Sequence, residues 1–334
     1  LALFGVGVAL GWVGGLGFAP ENSATGGKGA SFDTPPRLAL DGAAFSSAEP
    51  APVEQPAPVG QREASPKTAS DKAEGNTAVT RPPAMPAWRR HGETMPGATA
   101  GASGRLAIVI DDLGLSRSLA DKAIALPGAV TLAFLPYAEG LPAMARAARE
   151  RGHELLVHVP MQPKDPTVDA GPGALRVDQD AATLRAHLNA ALGSFDGHVG
   201  INNHMGSRFT EATGPMETVL RELQARGLMF LDSRTTPHSA APRLAAGLRV
   251  PFAQRDVFLD NSKTPADIAA NLDKAAAIAR KTGEAIAIGH PYPETLAVLA
   301  EWLPYARDKG VVLVPITAVT RVPAAGDNMA RAVE

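Results

Sequence analysis

The sequence predicts an α/β fold, a distorted (β/α) barrel preceded by an apolar N-terminal segment and a Pro/Ala-rich linker. Three observations predict it. From Arg105 onward, short apolar runs alternate with Ala-rich amphipathic stretches, the pattern of parallel strands joined by helices. Seven or eight such units fill roughly 220 residues, which suits one barrel better than two small sheets. Six of the runs end in His, Asp or Asn, and parallel barrels collect their chemistry at the C-terminal ends of strands.

The elements follow in order. Residues 1–20 carry no charge, and about 20 apolar residues are long enough to cross a bilayer core. The expectation is an uncleaved membrane anchor, with a cleaved signal peptide or a buried helix as alternatives. The chain opens on Leu1 rather than Met, so a start further upstream is expected. Residues 21–103 are rich in Pro, Ala, Ser and Gly, hold no period, and read as a disordered spacer. Trp88 within it reads as a single aromatic in a solvated stretch.

Strands are expected at 106–110, 130–135, 154–159, 198–202, 229–232, 251–258, 285–289 and 311–316, each a short aliphatic run. Helices are expected at 141–152, 178–195, 217–227, 264–283 and 293–310. Gly152 and Gly227 stop two of them, and Thr264-Pro265 and Pro293 open two others. The domain then spans 104–322, with a frayed tail over 323–334.

Composition narrows the chemistry. The net charge of −2 gives no reason to expect nucleic-acid binding. With no cysteine there is no disulfide, thiolate metal site or cysteine nucleophile, so any metal rests on His, Asp or Glu.

Asp111 and Asp112 are adjacent at a strand end. Strand neighbours point opposite ways, so one can hold a metal while the other acts as a base. A helix-capping role is the structural alternative. His158 sits in an apolar strand, and His204 in a polar turn with no apolar role. One carboxylate and two imidazoles make an ordinary shell for Zn²⁺ or a similar ion. His290 follows a strand and precedes a proline, where it can serve as a general acid or cap the next helix.

His153 reads as structural, a cation at a helix C-terminus. Asp232 and Asp260 are candidates to orient histidines or to cap loops. Asn202, Asn203, Ser207 and Arg208 are candidates for sugar hydroxyls or an acyl oxygen.

The blocks AIVIDDLG, GHELLVHVPM, GINNHMGSRFT, FLDSRT, VFLDNS and AIAIGHPYPETL, in that order, resemble the divergent polysaccharide deacetylases, remote relatives of the NodB-type carbohydrate esterases. The resemblance covers about residues 104–322. It implies a deacetylase-type (β/α) barrel, with Asp111 as base, Asp112 as metal ligand and His290 as acid. The second histidine of the family's His-x-x-x-His pair falls at Gln162, a departure, and the spacing makes His204, in the next block, the candidate replacement ligand.

The expected function is a metal-dependent hydrolase, zinc its metal, that removes acyl groups from a cell-envelope polysaccharide. The barrel would lie on the periplasmic side of the inner membrane, or be secreted if the first segment is cleaved. The alternative is a non-catalytic envelope module that binds glycan or peptide in the same cleft.

Overall fold

In a computed structural model, residues 85–93 and 104–324 are described. The expected anchor, the linker before residue 85 and the tail beyond 324 lie outside them. No helix among the described residues is long and apolar enough to cross a membrane.

The strands are β1 (Gly104–Leu113), β2 (Val130–Phe134), β3 (Glu154–Met161), β4 (His198–Met205), β5 (Met229–Asp232), β6 (Phe252–Gln254), β7 (Val257–Phe258), β8 (Glu284–Gly289) and β9 (Val311–Leu313). The helices are α1 (Ala87–Arg90), α2 (Arg117–Ile124), α3 (Leu141–Glu150), α4 (Ala181–Leu192), α5 (Thr213–Arg226), α6 (Ala241–Leu248), α7 (Pro265–Thr282), α8 (Pro293–Trp302) and α9 (Ile316–Val319). Side chains cap the helices where the chain turns in: Ser116 Oγ accepts from the Leu119 amide, Asp180 from that of Thr183, and Thr264 from that of Asp267. Gly227 ends α5 at φ 62, the left-handed stop expected of it.

All strand pairs are parallel, in the order β6-β5-β4-β3-β2-β1-β8-β7, with β9 beside the start of β1. The two outermost strands, β6 and β7, are joined by Arg255 and Asp256 alone. Three peptide steps reach at most about 11 Å, so the sheet edges must approach each other. The sheet is therefore rolled, but its edges do not pair. The barrel expected from the sequence is corrected in this respect: it is a curled sheet with one seam. Backbone and side chain stitch the seam. The Arg255 amide donates to Asp232 O (3.0 Å), the Asp256 amide to Ile286 O (2.8 Å), and the Ile286 amide to Asp256 Oδ2 (2.8 Å). For the same reason the single strand expected at 251–258 is two short ones. The last expected strand is also shorter, because Pro315 turns the chain into α9.

Alternation along the strands builds two apolar layers. Ile108, Ile110, Leu132, Phe134, Leu155 and Val157 face the helices. Val109, Ala133, Leu156, Leu231, Ile286 and Ile288 fill the inside of the roll. Each fully buried Leu, Ile or Phe contributes about 1.5–3 kcal/mol.

Trp88 overturns its reading as a solvated aromatic. It is 7 % exposed and belongs to the inner layer with Met229, Ile316 and Val319, and its amide donates to Gly227 O (2.9 Å). The N-terminal ends of the strands are thus stoppered by α1 and α9. Two buried glutamates brace this pole. Glu154 accepts from the amides of Glu93 (2.8 Å) and Thr317 (2.9 Å) and from the Thr317 hydroxyl. Glu284 pairs with Arg105 (2.7 Å) and Arg321 (2.6 Å).

Candidate metal centre and its acid and base

The opposite pole holds the polar strand ends. In the β3–β4 register His158 lies beside Asn202 and Pro160 beside His204. Residues two apart on a strand share a face, so His158, Asn202 and His204 all turn inward. Asp111 and Asp112 reach the same place by a different device. Between Ile110 and Leu113 the register of β1 against β2 slips by one residue, and Asp112 adopts φ 55. This bulge overrides the alternation and brings adjacent carboxylates to one site, where the simple pleat had them on opposite faces. Capping of α2 falls to Ser116, not to either aspartate.

Three ligand-type atoms converge. Asp112 Oδ1 lies 2.7 Å from His204 Nδ1 and 3.1 Å from His158 Nε2, and the two nitrogens are 3.3 Å apart. Asp112 Oδ1 is buried and accepts no well-formed hydrogen bond. Neutral imidazoles would turn lone pairs toward one another here, so the group asks for a cation. Two imidazoles and a carboxylate fit Zn²⁺ or a similar divalent ion.

The outer partners fix the tautomer of His158. Its Nδ1 donates to Asn202 Oδ1 (2.9 Å), which leaves Nε2 as the lone-pair edge. The other end of that amide donates to Asp111 Oδ1 (2.7 Å) and to Ser233 Oγ (3.2 Å). One side chain therefore links the carboxylate base candidate to a ligand histidine. Asp111 Oδ2 lies 3.7 Å from His158 Nε2.

Electrostatics separates the two aspartates. Burial raises the pKa of Asp111 above the ordinary aspartate value, against the lowering charges of His158 and His290. Burial also opposes ionisation of Asp112, yet the close approach of His158 and His204 holds its carboxyl far below the usual range. Burial works against the His158 imidazolium, but Asp111 and Asp112 outweigh it and push its pKa up to about 9. A cation must displace that proton to bind.

His290 stands at the end of β8. Its Nδ1 donates to Asp260 Oδ1 (2.9 Å), its amide donates to Asp260 Oδ2 (2.6 Å), and the buried Thr295 hydroxyl donates there too (2.9 Å). Nε2 is the edge left over. Burial alone would lower the pKa of His290, but the Asp260 hydrogen bond and the charges of Asp111, Asp260 and Asp112 raise it. Asp112 and His290 line one cavity of about 140 Å³ with Leu113, Leu115, Pro291 and Tyr292.

Of the residues singled out in the sequence, Asp111, Asp112, His158, His204, His290 and Asp260 come together. Asp232 does not join them: it orients no histidine, and its Oδ1 accepts the Arg234 amide (2.8 Å) to hold the turn after β5. Asn203 is not available to substrate, since Nδ2 donates to Met205 O (2.7 Å) and Oδ1 accepts the Ser233 amide (2.9 Å). Asn202 is likewise committed inward, and Ser207 accepts the Lys164 amide at the surface. Gln162 stays out of the group, its Oε1 accepting the Val177 amide (2.9 Å). His153 is structural, but not through a helix dipole: its ring bridges the carbonyls of Val130 and Ile124, both at 3.0 Å. Sequence reasoning missed the linking role of Asn202, although its position two residues before His204 on one strand was the available signal.

The chain resembles known proteins over the region that carries this site. A family model described as divergent polysaccharide deacetylase matches residues 108–320. The uncharacterized protein YibQ of Escherichia coli is 37% identical over 223 residues, 66% of this chain and 69% of that protein. An uncharacterized protein of Haemophilus influenzae is 38% identical over 198 residues, 59% of this chain and 70% of that one. The crystal structure of uncharacterized protein ATU2773 from Agrobacterium tumefaciens superposes with a TM-score of 0.68 at 31% identity, covering 70% of this chain and 95% of that chain.

Proposed function

The chain belongs to the divergent polysaccharide deacetylase family, and on that premise we propose that it is a metal-dependent hydrolase removing acyl groups from a cell-envelope carbohydrate. The observation that carries the reading is the convergence of Asp112 Oδ1, His158 Nε2 and His204 Nδ1 beside a second buried carboxylate. His204 Nδ1 stands as the third donor atom in place of the histidine missing at Gln162, which supports the hydrolase over the non-catalytic module.

Asp112, His158 and His204 would hold a divalent cation, zinc being the best fit to that donor set, and the ion would supply Lewis acidity for an acyl oxygen and a water. Asp111 takes the proton of that water. Its raised pKa makes it a better base than an exposed aspartate. His290, held by Asp260, gives a proton from Nε2 to the leaving nitrogen or oxygen. The walls of Leu113, Leu115 and Pro291 suit the apolar end of an acyl group. The envelope placement and membrane tether rest on the charge-free residues 1–20 and the Pro-rich spacer.

The test is metal content with activity. The full chain is stripped, offered zinc or cobalt, and analysed for bound metal beside His158→Ala and His204→Ala. Near-stoichiometric metal in the parent, lost in both variants, with acetate released from acetylated amino-sugar polymers, is the expected result. A folded parent that takes up no metal would sink the hydrolase and leave the glycan-binding module.

A further inference from the structure

Two guanidiniums stand at the seam of the rolled sheet. Arg234 follows β5, and Arg255 lies between β6 and β7. They line one groove of about 280 Å³ together with Thr235, Thr236, Pro237 and Asp256.

Arg255 is held rigidly. Its Nε donates to Ser233 O (2.7 Å) and its Nη2 to Arg234 O (2.8 Å). The guanidinium carbon sits 3.6 Å over the Phe258 ring, and that ring stacks on His290 with centroids 6.0 Å apart. Among the described residues no acceptor takes an Nη1 hydrogen. The Arg234 side chain donates no hydrogen bond to a described residue, and the carboxylates of Asp232, Asp111 and Asp256 lie near enough for their charges to act on Arg255. Burial and the neighbouring Arg234 charge bring the pKa of Arg255 down to about 10. Arg234 also adopts φ 49. The other non-glycine residues in that conformation at strand ends are Asp112 and Met205, on the strands that carry the metal ligands. Strain of this kind persists where function holds it.

The groove adjoins the reacting centre. Ser233, whose carbonyl anchors Arg255, accepts through its hydroxyl from Asn202, the residue that also holds Asp111. Two close cations, one of them fixed as a planar fork, match an oxyanion with bidentate geometry.

We propose that this groove binds an oxyanion, a carboxylate or a phosphate, carried by the substrate saccharide close to the acyl group that is removed. The proposal rests on the hydrolase reading for the identity of the ligand as substrate. It makes the preferred substrate an acidic glycan, and Arg234 and Arg255 the residues that select it.

The test is binding to the full chain, followed by ligand-detected NMR titration into the millimolar range. The probes are N-acetylglucosamine, its 6-phosphate, and N-acetylmuramic acid, which bears a carboxylate on the same ring. At least one anionic sugar is expected to bind about ten-fold tighter than the neutral one, the worth of a charge-assisted pair. Which of the two gains names the anion. Arg234→Gln, whose side chain supports nothing else among the described residues, is expected to remove most of that gain, and Arg255→Lys to reduce it by loss of the fork. Equal affinity for neutral and anionic sugars, no binding of either anionic sugar, or a gain that survives both substitutions overturns the proposal. Acetate release is scored separately. Anion selectivity without turnover removes the hydrolase and keeps the groove, and turnover without selectivity does the reverse.

Discussion

Both poles of the rolled sheet bury carboxylates, and they treat them in opposite ways. At the N-terminal pole Glu154 meets two backbone amides and a hydroxyl, and Glu284 meets two arginines. At the C-terminal pole Asp112 meets two imidazoles and keeps an oxygen without a well-formed hydrogen bond, while Asp111 is held by one amide. A carboxylate surrounded by donors is a brace. One crowded by lone pairs, or left short of donors, is prepared for a cation or a proton. The residue type is the same; the count and kind of partners separate structure from chemistry.

The contrast is open to direct attack. The largest effect is expected from Asp112→Ala. It should abolish metal uptake and cut acetate release by about 10³-fold or more, beyond the 10–100-fold that outer partners are worth. Elemental analysis and a kinetic assay read both. At the other pole, Glu154→Ala strands two amides and a hydroxyl, and urea unfolding should show a loss of about 2–4 kcal/mol. Metal content and turnover of the folded fraction should stay unchanged; a loss of metal there would erase the distinction between the poles.

Asn202→Leu tests the link inside the site. It removes the orienting bond to His158, and zinc affinity measured by chelator competition should weaken about 10–100-fold. The smallest effect is a displaced pH limb. In the proposed mechanism, activity needs Asp111 ionised and His290 protonated. The acid limb of kcat/KM should therefore lie above the ordinary aspartate value, and the alkaline limb above that of a free histidine. His290 is in acid form below its raised pKa and loses that form as pH rises through it. Asp260→Asn removes the main raising contact, so the alkaline limb should move to lower pH. An unmoved limb would remove His290 from the acid role.

Much of the site was legible because strand-end chemistry is written in short runs. AIVI before Asp111, LLV before His158 and AIAIG before His290 announce both the strand and its polar tip. The bulge that turns Asp111 and Asp112 to one side was not legible, since it depends on the partner strand and leaves no local pattern. Nor was the split of 251–258, which follows from where the rolled edges meet. Trp88 was misread for a related reason: a lone aromatic among prolines has no period, and its burial is supplied by the inner layer of the rolled sheet, far along the chain. Arg234 and Arg255 drew no attention in sequence, because a charge in a polar turn looks solvated until the groove around it is seen.

The carboxamide of Asn202 has a head and a tail, and the site uses both. Its hydrogens point to Asp111 and its oxygen receives the hydrogen of His158, so the bonds run one way, like arrows laid end to end. Such a chain transmits. When Asp111 takes up a proton it pulls less on the amide hydrogens, the amide oxygen pulls less on Nδ1–H, and Nε2 becomes a weaker donor. The protonation state of Asp111 is thereby reported to His158 on the far side of the centre. A carboxylate at 202 would present two identical ends and break the message, and an aliphatic side chain would carry none.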